Sequence, residues 1–500
     1  MTELSLAPLA LPFDNSYARL PERFYSRVRP AAVTAPSLIR LNEPLARDLG
    51  LDPERLTAPE GLAVLAGNAI AGGSEPIAMA YAGHQFGNFV PQLGDGRAIL
   101  LGELIDASGA RRDVHLKGSG RTPFSRSGDG RAALGPVLRE YIVSEAFAVL
   151  GIPTTRALAA LKTGDWVYRE APLPGAILVR IASSHIRVGT FQYFAARQDD
   201  EAVRLLADHV LARHYPEIAA TPEKYRELLD AVVSRQAELV ARWMHVGFIH
   251  GVMNTDNTSI AGETIDFGPC AFMDTYHPAT VFSSIDHGGR YAYANQPAIA
   301  QWNLVRFAET LLPLLGNSKE DAIAAAQERI AAFPGRFQSA IAAGYARKIG
   351  LKAAREDDVD LIQSLLTLMA NGKADFTLVF RQLAGCADPK DTAAEARLVA
   401  LFDSPGGITG WLETWRRRLA EDGASPDATA AAMRRVNPAI IPRNHQIEKG
   451  IRAAVAGEDL APFHRLVEAL AHPFAERPDG DDFVSPPLPG EEVTATFCGT

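Results

Sequence analysis

The stretch His250–Asn257 reads HGVMNTDN, and Asp266-Phe267-Gly268 follows it. Phosphoryl-transfer loops of this kind run D-x-x-x-x-N and are followed by D-F-G; the first Asp is a base, and the Asn and second Asp hold metal. Here Asn257 falls at the metal position and Asp266 opens the tripeptide nine residues on, but the base position holds Val252. Valine cannot accept a proton, so the usual base is missing or displaced, with Asp256 standing directly beside Asn257. Mg2+ takes hard oxygen ligands, one or two from protein and the rest from phosphates and water. Asn257 and Asp266 meet that need if a short hairpin, Thr258–Ile260 and Thr264–Asp266 turning through Ala261-Gly262-Glu263, brings them together. A lone Asp-Phe-Gly reads more simply as a turn; two motifs in this order favour the metal site.

Upstream, Ala98–Ile105 (AILLGELI), Asp113–Lys117 (DVHLK) and Ala176–Ala182 (AILVRIA) carry strand patterns. Pro136–Leu150 reads as a helix: Pro136 suits the first position, Leu138, Ile142 and Val149 mark an apolar side, and Gly151 is a stop. That helix carries Glu140, and the strand before it ends on Lys117. A strand lysine held by a helix glutamate is how kinase-like folds aim the lysine at nucleotide phosphates; two solvated charges are the plainer alternative. One further helix is expected near Glu43–Leu49, and Tyr225–Val246 is the clearest helix, closing at Gly247.

The order therefore predicts an α+β, protein-kinase-like bilobal fold. Residues 1–75 form an N-terminal extension, 76–195 a small β-rich lobe with one key helix, 196–472 a larger helical lobe, and 473–500 an extended, Pro-rich tail.

Two glycine-rich stretches flank the lysine strand. Gly94-Asp95-Gly96-Arg97 is either a hairpin turn or a close approach of backbone to phosphate. Lys117–Arg131 (KGSGRTPFSRSGDGR) combines four glycines with Arg121, Arg126 and Arg131. A flexible linker accounts for the glycines; an anion-binding loop accounts for the arginines as well. Arg180 interrupts an apolar strand and needs a partner or an open cleft, and Arg187 follows it. His115, His185 and His250 have no metal spacing and read as buried, hydrogen-bonded residues, and the five tryptophans read as core.

The chain has 500 residues, 47% apolar and 22% charged, which excludes a disordered or fibrous protein. A net charge of −9 argues against a general nucleic-acid or membrane-surface binder, so any anion site is local. Cys270, Cys386 and Cys498 are too few for a disulfide scaffold. The first residues lack a basic region before their apolar stretch and are broken by Pro8 and Pro12, a poor leader. A soluble, cytoplasmic protein is expected.

Taken together, these residues resemble the selenoprotein O family, the YdiU-like protein adenylyltransferases. The resemblance runs through ERFYSRV (22–28), YAGHQFGNFVPQLGDGRA (81–98), HLKGSGRTPFSRSGDGRAALGPVLREYIVSEA (115–146), HGVMNTDN, IDFGPCAFMD (265–274) and MRRVNPAIIPRNHQIEKGI (433–451). It implies a kinase-like fold that binds ATP in reversed orientation and moves AMP to a Ser, Thr or Tyr hydroxyl of a protein substrate, releasing pyrophosphate. By motif, it implies that Gly94, Gly96, Arg97, Lys117, Asp129, Gly130, Arg180 and Arg187 contact nucleotide. Asp256 would be the proton acceptor, Asn257 and Asp266 would hold Mg2+ (or Mn2+), and Glu140 would position Lys117. Neither Lys117 nor Asp266 needs a place in the core, so removing either is expected to leave folding intact. Cys498 lies where eukaryotic members carry selenocysteine, and a redox bridge to Cys270 stands against two unrelated thiols. Two rival readings stay open: a γ-phosphate transferase, which Val252 argues against, and a silent ATP-binding scaffold.

Overall fold

A computed structural model describes residues 9–478 and 480–497. Eight strands form one sheet: β1 (Tyr25–Arg27), β2 (Ser37–Leu41), β3 (Ile77–Met79), β6 (Ala98–Ile105), β7 (Arg111–Lys117), β8 (Ala132–Ala133), β9 (Arg156–Tyr168) and β10 (Pro172–Ala182). The strand order is β1-β3-β6-β7-β10-β9-β2, with β8 beside β10, and neighbours are antiparallel. β4 (Gly83–Gln85) and β5 (Asn88–Val90) make a separate hairpin. The expected strands at Ala98, Asp113 and Ala176 are present. β9 and the short edge strands β1 and β2 are additions that local alternation did not reveal.

Side chains alternate across a strand, and that alternation sorts the sheet's two faces. Ile99, Leu101, Val114, Leu116, Ile177 and Val179 pack with α1 (Glu43–Asp48), α2 (Pro53–Thr57) and α3 (Pro59–Leu65). Leu100 and Leu178 turn the other way, onto Leu134, Leu138, Ile142 and Phe147 of α4 (Leu134–Val149). The same phase puts His115, Lys117 and Arg180 on the α4 side, because His115 pairs with Arg180 and Lys117 with Leu178 across β7 and β10. Helix α4 begins two residues before Pro136. Proline is tolerated there because first-turn N–H groups have no intrahelical partner. Gly151, at φ 75°, takes the left-handed turn that ends the helix.

From Val188 onward helices dominate: α5 (Val188–Ala195), α6 (Asp200–His214), α7 (Lys224–His245), α8 (Gln296–Leu315) and others as far as Leu470. They bury a second core around Trp411, Trp415, Phe376 and Phe380. The chain is thus α+β, with an antiparallel sheet in its N-terminal part and a helical C-terminal part. Residues 473–478 and 480–497 carry no helix or strand; Thr496 bridges to Ser283. Among the described residues no helix is long and apolar enough to cross a membrane.

Two expectations are corrected. The 258–266 hairpin does not form. Ile260 N donates to Ile186 O at 3.0 Å while Thr264 N donates to Pro153 O at 2.9 Å, so each half pairs with a different distant segment. The motifs are instead bracketed by β11 (Phe248–Ile249) pairing with β12 (Ala271–Phe272). The tryptophans are not all core: Trp166 on β9 is 60% exposed.

Candidate active site

Asp266 is the centre of the charge cluster. Its Oδ1 accepts from Lys117 Nζ at 3.1 Å and from Arg180 Nη1 at 2.8 Å, and its Oδ2 accepts from Arg187 Nη1 at 3.1 Å. Three separate elements deliver these cations: the end of β7, the C-terminal part of β10 and the residue capping α5. Glu140 on α4 completes the cluster, accepting from Lys117 at 2.5 Å and from Arg180 at 3.3 Å. The expected lysine–glutamate pair is therefore formed, and the charge inside strand β10 has its partners. Burial opposes ionisation of Asp266, yet Lys117, Arg180 and Arg187 hold its carboxyl well below the ordinary range. Asp266 itself sits at φ 61°, a left-handed conformation unusual for a side-chain-bearing residue.

Asp256 is a different carboxylate. It lies in a short 3-10 turn, Thr255–Asn257, and is buried. Gln85 Nε2 donates to its Oδ2 at 3.3 Å, and its Oδ1 is buried with no side-chain hydrogen-bond partner among the described residues. Burial raises its pKa to about 6, against the opposing pull of Arg187. A carboxylate in that range takes and releases a proton near neutral pH. Asn257 donates its amide to Val252 O at 3.0 Å, which leaves its side-chain oxygen as an acceptor. Val252, at the usual base position, gives a backbone carbonyl to that contact and no titratable group.

These residues line a cleft of about 870 Å³, together with Gly94, Gly96, Arg97, Asp129 and Gly130. The two glycine-rich stretches are tied to each other, so neither is a free linker. Thr122 Oγ1 donates to Asp95 O at 2.6 Å, and Ser125 Oγ donates to Gly96 O. A Cβ on Gly94 would stand 2.2 Å from the Phe124 ring, and one on Gly130 would stand 2.1 Å from Gly120 O. Gly94 thus makes room for the Phe124 ring of the second loop, and Gly130 lets that loop fold back on its own backbone at Gly120. Asp129 is half of an ion pair with Arg169, at 2.9 Å, at the cleft's exposed rim.

All twelve candidate residues occupy this one region, Glu140 by its contact with Lys117 and Arg180 and the others by lining the cleft. Local alternation in the sequence does not reveal the β4–β5 hairpin that closes over Asp256. There His84 N donates to Thr255 Oγ1 at 2.7 Å and Phe86 N donates to Asn254 Oδ1 at 3.0 Å. The available signal was the glycine pair Gly83 and Gly87 flanking polar His84 and Gln85. Cys270 is buried and its thiol is pushed up to about 12 by burial. Thr496 Oγ1 donates to Pro269 O at 2.6 Å, bringing the tail beside it. Cys498, the other half of the expected redox bridge, lies outside the described residues.

Moving a phosphoryl group asks for concentrated fixed cations and a carboxylate that can take a proton. This cleft supplies both, which defines the class as a phosphate-transferring enzyme. A sequence-family model described as "Protein adenylyltransferase SelO" matches residues 8–471, and the chain belongs to that family, whose members are nucleotidyltransferases. It is 61% identical over 489 residues to "Protein nucleotidyltransferase YdiU" of Bradyrhizobium sp. (strain ORS 278), covering 98% of this chain and 99% of the relative. A protein of the same name from Rhizobium meliloti (strain 1021) is 60% identical over 491 residues, covering 98% of this chain and all of the relative.

Proposed function

We propose that the chain transfers AMP from ATP to a Ser, Thr or Tyr hydroxyl of a protein substrate. The observation that carries this reading is the division of labour between two neighbouring carboxylates: Asp266 fixed as an anion by three cations, and Asp256 left able to accept a proton. The acceptor oxygen attacks the α-phosphorus, the bond to the pyrophosphate oxygen breaks, and the hydroxyl proton passes to Asp256. Lys117, Arg180, Arg187 and Arg97 offset the phosphate charge, and the backbone at Gly94, Gly96 and Gly130 approaches the nucleotide beside Asp129. Glu140 keeps Lys117 aimed.

Mg2+, or Mn2+ in its place, suits hard oxygens of this kind, and at Asp266 it would take the place of a bond from Lys117, Arg180 or Arg187. The Asn257 carboxamide oxygen is free of the amide's bond to Val252, and Asp266 is a hard carboxylate whose side chain is 23% exposed at the cleft. A metal there supplies further neutralisation of the phosphates. We read the architecture as kinase-like and bilobal, with the cleft between a lobe at 76–195 and one at 196–472, an extension at 1–75 and a tail at 473–500. Two buried free thiols, Cys270 and Cys386, suit a cytoplasmic setting.

The test is incubation with ATP labelled at the α- or the γ-phosphate, followed by intact-mass analysis of a candidate acceptor. Label from α and a gain of one AMP support the reading. Label from γ alone assigns a phosphotransferase instead, and nucleotide binding without any covalent label assigns a silent scaffold.

A further inference from the structure

The three nitrogens of the Arg180 guanidinium have unequal surroundings. Nη1 donates to Asp266 Oδ1 at 2.8 Å and to Glu140 Oε1 at 3.3 Å. Nε is buried with no partner among the described residues. Nη2 has one partner among the described residues, Nδ1 of His115, at 3.1 Å. An arginine nitrogen only donates, so Nδ1 must accept and carries no proton. The ring's proton then sits on Nε2, which faces Asp95 Oδ2 at 3.4 Å. Its two neighbours thus dictate a neutral imidazole in a single tautomer.

That imidazole joins two parts of the site. Asp95 belongs to the loop Gly94-Asp95-Gly96-Arg97, and its carboxylate also accepts from Met79 N at 3.0 Å. Arg180 belongs to the cation cluster. His115 is wholly buried between them and stacks on His185 with ring centres 4.1 Å apart, so it has no room to turn. His185 is in turn held by Asp113 at 2.9 Å, and Asp113 by Arg213 at 2.6 Å. The charged or titratable groups facing the His115 ring are therefore Asp95, Arg180 and His185, with Arg187 nearby. Burial keeps the ring's pKa below the ordinary histidine value, against the pull of Asp95.

We propose that His115 is a positioning residue: its bare Nδ1 holds Arg180 in line with Asp266 and couples that arginine to the glycine loop through Asp95. It does not line the cleft and so is not a catalytic residue. The inference rests on the reading that Arg180 meets the nucleotide.

The experiment compares the full-length wild type with His115→Leu and His115→Asn, each alone and with Arg180→Ala. ATP affinity is read by calorimetry with Mg2+, AMP transfer from α-labelled ATP, and folding by thermal melting. Outer-layer partners of metal ligands are commonly worth ten- to a hundred-fold; taking the same scale for the partner of Arg180, His115→Leu is expected to weaken ATP binding about ten- to a hundred-fold. His115→Asn, whose carboxamide oxygen can replace Nδ1, is expected within about threefold of wild type. In the Arg180→Ala background, where there is no guanidinium to hold, adding His115→Leu is expected to change affinity less than about twofold. Wild-type affinity in His115→Leu, an undiminished loss in the Arg180→Ala background, or no rescue by Asn each overturns the proposal. Should His115→Leu fail to fold, 15N-histidine spectra of the wild type decide it: a proton on Nε2 supports the contact, and one on Nδ1 overturns it. A wild type that binds no ATP sinks the site reading instead, and the tautomer spectrum still decides the His115 contact.

Discussion

Asp256 and Asp266 are ten residues apart, line the same cleft and share a side chain, yet their surroundings drive them in opposite directions. Burial resists the charge on both. At Asp266 three cations from three elements overcome that resistance; at Asp256 the side-chain donor among the described residues is the Gln85 amide, and Arg187 touches the backbone carbonyl, at 2.8 Å. Function therefore follows from which side chains the sheet and α5 aim at each carboxylate. Arg187 contacts both residues and divides itself unequally, with its side chain on the Asp266 carboxylate and on the Asp256 main chain.

Removing Asp266 should have the largest effect. Asp266→Ala leaves Lys117, Arg180 and Arg187 facing one another, with Glu140 still bonded only to Lys117 and Arg180. Breaking a buried ion cluster on one side costs about 3–5 kcal/mol, and the lost electrostatic centre is expected to lower AMP transfer about a thousandfold. Melting curves and α-label transfer measure the two effects. This revises the expectation that the residue can go without cost to folding, since its three partners are themselves buried or nearly so. Asp256→Asn should separate binding from chemistry. Turnover is expected to fall about a hundredfold or more, with ATP affinity by calorimetry within about threefold and a melting temperature no lower than wild type. Equal losses of affinity and turnover would break the comparison, because a proton acceptor matters mainly to the chemical step.

The raised pKa of Asp256 sets the sign of the pH dependence. Below about 6 the carboxyl is protonated and cannot take the hydroxyl's proton. Turnover is therefore expected to fall about tenfold per pH unit on the acid side of 6, while Asp266, ionised far below that, contributes no step there. A rate profile from pH 5 to 8 under saturating ATP checks it. Gly83→Ala should act on the same carboxylate through space: its Cβ would lie 2.5 Å from Asp256 Oδ1 and 2.9 Å from Asp256 Cβ. Such overpacking costs about 1–3 kcal/mol and is expected to slow transfer about tenfold with little change in ATP affinity.

The Asp266 half of this comparison was legible from sequence, and the Asp256 half was only partly so. Lys117, Glu140, Arg180 and Asp266 announce themselves because each is a charge in a place that local periodicity marks as strand, helix or turn. The 258–266 hairpin failed because its turn-like Ala-Gly-Glu was judged on local grounds, whereas Ser259 bridges to Arg187 and Thr264 to Thr154. Long-range backbone partners outcompeted a local turn. The clamp over Asp256 is hidden for the same reason: Gln85 and Asp256 are 171 residues apart, and nothing near Gln85 in sequence says what its amide will meet.

Gln85 gives the smallest and sharpest test. Among the described residues its amide is the only side-chain donor on the Asp256 carboxylate, and a donor to a carboxylate favours the charged form, so it lowers a pKa that burial raises. Gln85→Leu keeps apolar volume and deletes the donor. Asp256 is then harder to ionise, and the acid limb of the rate profile is expected to move to higher pH by a fraction of a unit. At 3.3 Å the hydrogen bond is long, so transfer at pH 8 should fall only about two- to fivefold, in keeping with about 1 kcal/mol for one modest bond. A limb that moved to lower pH would mean that the amide opposes ionisation. A limb that stayed in place while the rate fell equally at every pH would mean that Gln85 shapes the hairpin without touching the proton acceptor's charge.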